Sequence, residues 1–269
     1  MHALAPVPGA NLLYVGAHDG VYAGENLGRT WQKLPGMPAL VPPAADVDAM
    51  QVLFDPPGGR LFAAGHSLGV VVTTDNGNSW QPAMAGLPLP PDAHPGQGRH
   101  ADVHALAADP QRPEVLYAWV DGFGLYATED VGAHWVARSA QAAGVDVIAL
   151  AVAPADSNTL YAGGQGGFAS SSDAGRTWRL TLSAFNAQMI TGIWADPAHA
   201  GVLLATTDED GLWRSEDGGS RWERVRLRVL PDTLADVKGD AQNPQRVYLI
   251  SQEGRLFASR DGGKTWTAI

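Results

Sequence analysis

Four aspartates occupy matching positions along the chain and are the first candidates for chemistry. Each stands at the same distance before a proline that closes a mostly apolar run: Asp48, Asp102, Asp146 and Asp236. Carboxylates brought close together bind a divalent cation or raise one another's pKa. The other interpretation is that each aspartate caps the turn that leads into its strand.

A second group of candidate ligands lies in the longest predicted connection, residues 85–104. Its four prolines stiffen the chain, and His94, His100 and His104 could converge with Asp102. Imidazole and carboxylate together suit zinc, copper or nickel. The spacing matches no compact metal motif, and exposed histidines are also common on surfaces. The only cofactor that the sequence suggests is a divalent cation.

These residues must be positioned by a short pattern that recurs six times. It contains a hydroxyl or small residue, Asp, Gly, a polar residue and Trp, and the last copy shows it as Ser259, Asp261, Gly263, Thr265 and Trp266. The tryptophans recur at intervals of roughly 40 to 55 residues, a period typical of propeller blades. From first to last, with Asn in place of Asp in the first, the Asp, Gly and Trp positions are Asn26, Gly28, Trp31; Asp75, Gly77, Trp80; Asp130, Gly132, Trp135; Asp173, Gly175, Trp178; Asp217, Gly219, Trp222; and Asp261, Gly263, Trp266.

Residues 145–180 show how one repeat would form a blade. The apolar run 145–152 is typical of a buried innermost strand, and two short strands follow it across a turn and a glycine-rich hairpin. The pattern then forms the hairpin between the third and fourth strands, because Asp accepts backbone amides and Gly supplies a positive φ. Trp178 would begin the fourth strand and anchor it between blades. The sequence predicts an all-β, six-bladed β-propeller with four antiparallel strands per blade.

The same pattern predicts a single domain over residues 1–269. Alignment on the closing X-Pro dipeptides, from Val7-Pro8 to Asn243-Pro244, makes His2 to Pro6 the first innermost strand. We therefore expect a ring that starts and ends at a blade boundary, shares no strand between its first and last blades, and closes its seam by face packing. The predicted blades are 1–34, 46–84, 101–139, 145–182, 189–227 and 235–269. In this ring, Asp48, Asp102, Asp146 and Asp236 form an incomplete ring at one mouth of the central channel.

The eight-residue copies resemble Asp-box repeats, also called bacterial neuraminidase repeats, and with their preceding strands they cover essentially the whole chain. Proteins with such repeats include sialidases, xyloglucan-type glucanases, sortilin-like receptor domains and photosystem II stability/assembly factor-like proteins. The resemblance implies an Asp-box in the hairpin between the third and fourth strands of each blade, on the outer edge of the ring and away from the ligand face. It assigns Asp75, Asp130, Asp173, Asp217 and Asp261 to structure, while function has to come from other sites.

The residues that the enzymes of this group need can be compared with those of this chain. A sialidase would need three arginines, a tyrosine paired with a glutamate, and an acid/base aspartate. No predicted innermost strand contains an arginine, and the six tyrosines fall in second or third strands, so sialidase activity is not expected. An ordinary glycosidase needs two carboxylates roughly 5 to 10 Å apart. The four aspartates could provide such a pair, but the related glucanases use two facing propellers and this chain supplies one.

Composition restricts the partners. The net charge of −10 argues against nucleic acid and anionic membrane surfaces, which both attract basic patches. No apolar run approaches the roughly 20 residues that span a bilayer. The absence of cysteine excludes disulfides and thiolate metal sites. Most relatives with this architecture are exported, so we expect a periplasmic or extracellular monomer whose targeting segment is absent from this chain.

Two loop regions complete the predicted ligand face. The apolar loop 34–45, together with Leu87 and Leu89, would give a hydrophobic docking rim, or the loop would fold down onto its own blade. The hairpins between second and third strands flank the channel mouth and carry further polar residues: His18, Asp19, His66, Asp121, Gln165, Asp208, Glu209, Asp210, Gln252 and Glu253.

We interpret the chain as a non-catalytic propeller that binds a protein or a glycan on the loop face around the channel. The candidate ligand-binding residues are Asp48, Asp102, His104, Asp146 and Asp236. The alternative function is that of a glycoside hydrolase or a carbohydrate-binding lectin of the same superfamily, so enzyme activity stays open, with no catalysis the preferred interpretation.

Overall fold

The fold is an all-β ring of six sheets, seen in a computed structural model that describes residues 1–37, 47–55, 57–90, 100–181, 188–225 and 233–269. Each sheet is an antiparallel meander of four strands in chain order. The predicted six-bladed propeller with four antiparallel strands per blade is therefore confirmed. Among the described residues, no helix has the length and hydropathy needed to cross a bilayer.

The strands follow one another without exchange between blades. Blades one to three contain β1 (Ala3–Pro6), β2 (Leu12–Ala17), β3 (Gly20–Glu25) and β4 (Thr30–Lys33); β5 (Asp48–Asp55), β6 (Arg60–His66), β7 (Gly69–Thr73) and β8 (Gln81–Pro82); β9 (Val103–Ala108), β10 (Leu116–Val120), β11 (Gly124–Thr128) and β12 (Val136–Ser139). Blades four to six contain β13 (Asp146–Ala153), β14 (Asp156–Gln165), β15 (Gly167–Ser171) and β16 (Arg179–Thr181); β17 (Ile190–Ala195), β18 (Leu203–Thr207), β19 (Leu212–Ser215) and β20 (Glu223–Val225); β21 (Leu234–Asp240), β22 (Asn243–Ser251), β23 (Leu256–Ser259) and β24 (Thr267–Ala268).

The hydrophobic core is divided among the interfaces between blades. Six clusters of buried side chains each combine residues from two neighbouring sheets. The sixth cluster joins Leu4, Leu13 and Val15 of blade one to Tyr248 and Ile250 of blade six. Because each sheet buries apolar side chains on both faces, the ring closes by packing as well as by chain connectivity.

The repeated pattern folds into a hydrogen-bonded turn between the third and fourth strands. In the second copy, the hydroxyl of Thr73 donates to Asp75 over 2.7 Å and accepts the backbone N–H of Gly77 over 3.0 Å. Asp75 also accepts the backbone N–H of Ser79 over 2.9 Å. The same three bonds form in the copies that contain Asp130, Asp173, Asp217 and Asp261.

Backbone conformation explains the glycine of the pattern. Gly77 has a φ of 83°, in the left-handed region where a side chain is strained. The first copy lacks the hydroxyl and the carboxylate, and its Gly28 N–H instead donates to the backbone carbonyl of Glu25 over 3.0 Å. Leu27 and Gly28 keep the pair of left-handed φ values found in the other copies, but Asn26 is left-handed too, with a φ of 51°, so the first turn differs where the carboxylate is missing.

The tryptophans of the repeats fasten each blade to the preceding one. Trp80, Trp135, Trp222 and Trp266 are buried in the interfaces with the preceding blades, and Trp178 packs partly buried in the same way. Each directly precedes its fourth strand rather than beginning it. Trp31 of blade one, which borders the seam, is the exception. It lies within β4, is 39% exposed and stacks over Gly24 of its own blade.

The seam between blades six and one depends on a buried aspartate. Asp236 is 2% exposed, and its carboxylate accepts the backbone N–H of Leu4 over 3.0 Å and the Nζ of Lys238 over 2.6 Å. Asp240 accepts the N–H of Gly9 over 3.3 Å. β1 pairs only with β2, so no strand is shared, as expected. Face packing is nevertheless supplemented by these two side-chain bonds, which the sequence did not predict.

Removing a repeat hydroxyl tests the turn. Ser171→Ala should lower the free energy of unfolding by about 1–3 kcal/mol, because the buried N–H of Gly175 loses its acceptor. Urea unfolding measures the change. The neighbouring exposed hydroxyl supplies the control, since Ser172→Ala should change stability by less than about 0.5 kcal/mol. Equal effects of the two substitutions would contradict the structural role of the bond.

Acid should weaken the fold through the same turns. Hydrogen bonds from Ser79, from Thr128 and His134, and from Thr177 hold the pKa values of Asp75, Asp130 and Asp173, respectively, at about 2. Between about pH 4 and about pH 2 these carboxylates bind protons in the unfolded chain but stay ionised in the native protein. The free energy of unfolding therefore falls as the pH is lowered. Thermal unfolding across this window measures the slope. Asp173→Asn removes one titrating group, and a slope as steep as that of the wild type would argue against this assignment.

Loss of the Asp236 carboxylate at the seam should lower the free energy of unfolding more than loss of an exposed carboxylate. Asp236→Ala leaves Lys238 and the Leu4 N–H without their buried partner, and we expect the free energy of unfolding to fall by about 3 kcal/mol. Asp146→Ala is the matched control, because Asp146 is also an aspartate of an innermost strand but is exposed. If urea unfolding gave the two variants the same stability, Asp236 would not be the residue that holds the seam.

Candidate functional site

The central channel opens into a cavity of about 380 Å³ at the end where the innermost strands begin. Its walls combine thioether, aliphatic, amide and imidazole groups from five of the six blades. The lining residues are Met1, His2, His18, Met50, Gln51, Ile148, Met189, Thr191, Ala235 and Gln252.

A β-bulge near the start of each innermost strand shapes this mouth. In five strands the pairing register skips one residue, namely Met50, His104, Ile148, Thr191 and Ala235. In blade one both His2 and Ala3 lie opposite Gly16, which puts His2 at the equivalent position. A bulge re-aims the extra side chain away from the sheet's regular alternation. Five of these six residues line the cavity, and His104 is the exception.

One hydrogen bond joins innermost strands that are not neighbours in the ring. The Nε2 of Gln51 in blade two donates to the backbone carbonyl of Ile148 in blade four over 3.2 Å. Both residues line the cavity. The bond therefore braces the channel wall and fixes the amide side chain inside the mouth.

Three histidines surround Asp48 on the rim between blades one and two. The Nε2 of His2 and the Nδ1 of His18 lie 3.3 and 3.4 Å from Asp48 Oδ1, and 3.1 Å from each other. The Nδ1 of His66 lies 3.1 Å from Asp48 Oδ2. Burial lowers the pKa of His2 to about 4 against the opposing pull of Asp48, so this imidazole is neutral near pH 7. We call His2, His18, Asp48 and His66 the histidine cluster.

A second cluster of polar side chains lies on the rim at blades three and four. His104, Asp121 and Asp146 bring one ligand atom each within 4.8 Å of one another. The His104 ring also meets that of His66 edge to face, with centroids 5.2 Å apart. Burial lowers the pKa of His104, and its buried Nδ1 has no hydrogen-bond partner among the described residues.

The four aspartates predicted at the mouth have four different surroundings. Asp48 begins β5 within the histidine cluster, and Asp146 begins β13 beside His104. Asp102 directly precedes β9 in blade three, but the turn that it caps belongs to blade two. Its carboxylate accepts the N–H of Ser67 over 2.5 Å. Whether any of them binds a ligand stays a prediction.

The placement of Asp236 is corrected by the structure. It is the third residue of β21 and pairs with Ile250, inside the ring wall and not at the mouth. The alignment failed because blade six closes its innermost strand with Asp240, the counterpart of Asp55, rather than with Asn243-Pro244. Thr233, whose carbonyl accepts the N–H of Gln252, occupies the position expected for Asp236.

The predicted loop features are only partly described. His94 and residues 38–45 lie outside the described residues. The predicted convergence on Asp102 can be followed for His100 and His104: His100 lies beside Gly69, and His104 groups with Asp121 and Asp146. Leu34 and Met37 are buried in the interface of blades one and two, so this part of loop 34–45 folds down onto the blades. Leu89 is exposed.

Sequence reasoning placed His18 and His66 in hairpins beside the mouth but missed their convergence on Asp48. His2 was assigned only to the first strand. The available signal is its bulge position, whose residue lines the cavity in five of the six blades, but this position becomes visible only once strand registers are known.

Comparisons with known proteins agree on the fold. The family model Sortilin-Vps10 (sortilin, neurotensin receptor 3) matches residues 166–269. A GH74 enzyme of Niastella koreensis has 17% sequence identity and a TM-score of 0.64, over 98% of this chain and 46% of that chain. A GH74 xyloglucanase of Xanthomonas campestris has 21% identity and a TM-score of 0.63, over 97% and 45%. YCF48 bound to D1 peptide has 20% identity and a TM-score of 0.58, over 99% and 81%.

These similarities have clear limits. The chain spans under half the length of the two GH74 structures. At 17–21% identity, structural similarity shows the fold alone. No curated protein sequence matches the chain.

Proposed function

We propose that this chain is a non-catalytic β-propeller that binds a peptide segment of a protein partner at the channel mouth. The observation that carries the proposal is the cavity itself, where Met50, Ile148 and Met189 stand beside the amides of Gln51 and Gln252. Methionine adapts to apolar side chains of irregular shape. Amide groups recognise peptide N–H and C=O groups.

The size of the cavity also favours a short ligand segment. Its volume of about 380 Å³ lies at the small end of the range for ligand pockets, roughly 300–1,000 Å³. Such a cavity accommodates one or two anchor side chains, while the surrounding hairpins contact the rest of the segment. The similarity to YCF48 bound to D1 peptide supports this proposal, because it shows that the same fold can receive a peptide.

The glycoside hydrolase alternative is less well supported at this cavity. Hydrolysis needs two carboxylates on either side of the glycosidic bond. The described residues that line the cavity include no carboxylate. Asp236, one of the expected acids, is buried in the seam. A lectin function, which needs no acid pair, is the stronger form of the carbohydrate alternative.

Two finer assignments accompany this proposal. The hydrogen-bonded turns at Asp75, Asp130, Asp173, Asp217 and Asp261 support their assignment as Asp-box repeats. The family resemblance supports a periplasmic or extracellular location. Both stay predictions, as does the monomeric state.

A charged substitution in the cavity tests peptide binding. Peptides selected from a random library on the wild-type protein should bind Ile148→Glu at least about 10-fold more weakly, because the substitution places a carboxylate among apolar contacts. Fluorescence anisotropy measures both dissociation constants. Val136→Glu is the control, since Val136 is 65% exposed on an outer strand and should leave binding unchanged.

An oligosaccharide panel separates the alternatives. A selection that yields no peptide, together with oligosaccharide binding that Ile148→Glu abolishes, would contradict the proposal and establish a lectin. Release of reducing sugar from the panel would contradict the absence of catalysis.

A further inference from the structure

We propose that His2, His18 and Asp48 form a zinc site on the rim of the channel mouth, with His66 as the residue that positions the carboxylate. The donor atoms are His2 Nε2, His18 Nδ1 and Asp48 Oδ1, contributed by two blades. The proposal is independent of peptide binding, because it concerns only the chemistry of these side chains.

The spacing of the three donor atoms is that of a tetrahedral zinc site. Their separations are 3.1, 3.3 and 3.4 Å. A tetrahedral zinc ion with bonds of about 2.0–2.1 Å spaces its ligand atoms about 3.3 Å apart. The three atoms therefore already occupy three corners of a tetrahedron that fits the ion, and little rearrangement is needed for binding.

The hydrogen bonding of Asp48 also points to a cation. Its Oδ1 is buried and has no hydrogen-bond partner among the described residues, although two imidazole nitrogens face it. A buried carboxylate oxygen without a partner is costly. A metal ion between the three atoms would satisfy this oxygen and use the lone pairs of both imidazoles.

His66 completes the arrangement from behind the carboxylate. Its Nδ1 lies 3.1 Å from Asp48 Oδ2, the oxygen that is not directed at the other histidines. Hydrogen bonds of this kind orient ligating carboxylates, and their loss typically weakens metal binding about 10–100-fold. His66 is therefore a positioning residue in the proposal.

The donor set selects the class of metal. Two imidazoles and one carboxylate suit zinc and its neighbours, whereas calcium and magnesium prefer oxygen ligands throughout. Three protein ligands leave a fourth position for water or an incoming group. Because His2 and His18 line the cavity, this position would be accessible from the channel mouth.

The neighbouring group of His104, Asp121 and Asp146 is a weaker candidate. It offers a single imidazole, both carboxylates are exposed, and its donor atoms are known only to lie within 4.8 Å of one another. We do not include it in the zinc site. It is instead an internal control for metal binding elsewhere on the same rim.

Zinc titration of the chelator-stripped, untagged chain tests the site. In competition with a chromogenic chelator, the wild-type protein should bind one zinc ion per chain. His18→Ala and Asp48→Asn should each weaken this binding at least about 10-fold, and His66→Ala about 10–100-fold. Cobalt replaces zinc as a spectroscopic probe, and the strong visible bands of a four-coordinate ion should appear in the wild type and be lost in His18→Ala.

Two matched substitutions serve as controls. His134→Thr removes an exposed histidine from a repeat turn where other copies carry Thr177 or Thr265, and Asp121→Asn removes an exposed carboxylate of the neighbouring group. Both should bind zinc like the wild type. Thermal unfolding in the presence of chelator verifies that each variant is folded, and His18, on an exposed hairpin, keeps the test valid if Asp48→Asn proves unstable.

Three outcomes would overturn the proposal. The first is a wild-type protein that binds no stoichiometric zinc. The second is an affinity that survives both His18→Ala and Asp48→Asn. The third is binding that is lost in Asp121→Asn but kept in His18→Ala, which would move the site to the neighbouring group.

Discussion

Closure of the ring depends on the carboxylate of Asp236, buried between the last and first blades. It accepts hydrogen bonds from Leu4 N, Val237 N and Lys238 Nζ. Burial raises the pKa of this carboxyl, and Lys238 opposes the shift. Blade five makes room for it, since a Cβ on Gly192 would lie 2.5 Å from Asp236 Oδ1. A carboxyl group is tolerated here because three donors converge on it in place of water.

The histidine cluster depends on this closure. The bond from Leu4 N ties β1 to blade six, and β1 determines where His2 stands relative to Asp48 in blade two. If β1 shifted by one residue, a different side chain would face the channel. The seam and the mouth are thus parts of one arrangement, in which a structural carboxylate fixes the strand that carries a candidate ligand.

The hydrogen-bonded turns and the candidate functional site lie at opposite edges of the blades. At the periphery, five turns repeat the same three hydrogen bonds, so their residues are nearly interchangeable. At the axis, the six bulge positions carry five residue types, with histidine at two of them: His2, Met50, His104, Ile148, Thr191 and Ala235. This difference explains what the sequence could predict. The turns are local, so their pattern revealed the blades, whereas contacts between His2, His18 and Asp48 cross blades and depend on closure. The alignment error at Asp236 has the same origin, because the length of the turn after β21 is not part of the repeated pattern.

The channel mouth presents both polar and apolar side chains to a ligand. Blades one to four supply the polar arc of the rim, from His2 and Asp48 to His104 and Asp146. The cavity wall mixes the two kinds of group: blades five and six contribute Met189 and Ala235 but also Thr191 and Gln252, and blades two and four contribute Met50 and Ile148. An oligosaccharide needs hydrogen-bonding partners for its many hydroxyl groups, and the apolar side chains of Met50, Ile148 and Met189 offer none. A peptide carries polar backbone and apolar side chains on one molecule, which matches a wall of this mixed kind. The mixture of apolar and amide groups at the mouth is therefore the feature on which the proposed peptide binding rests.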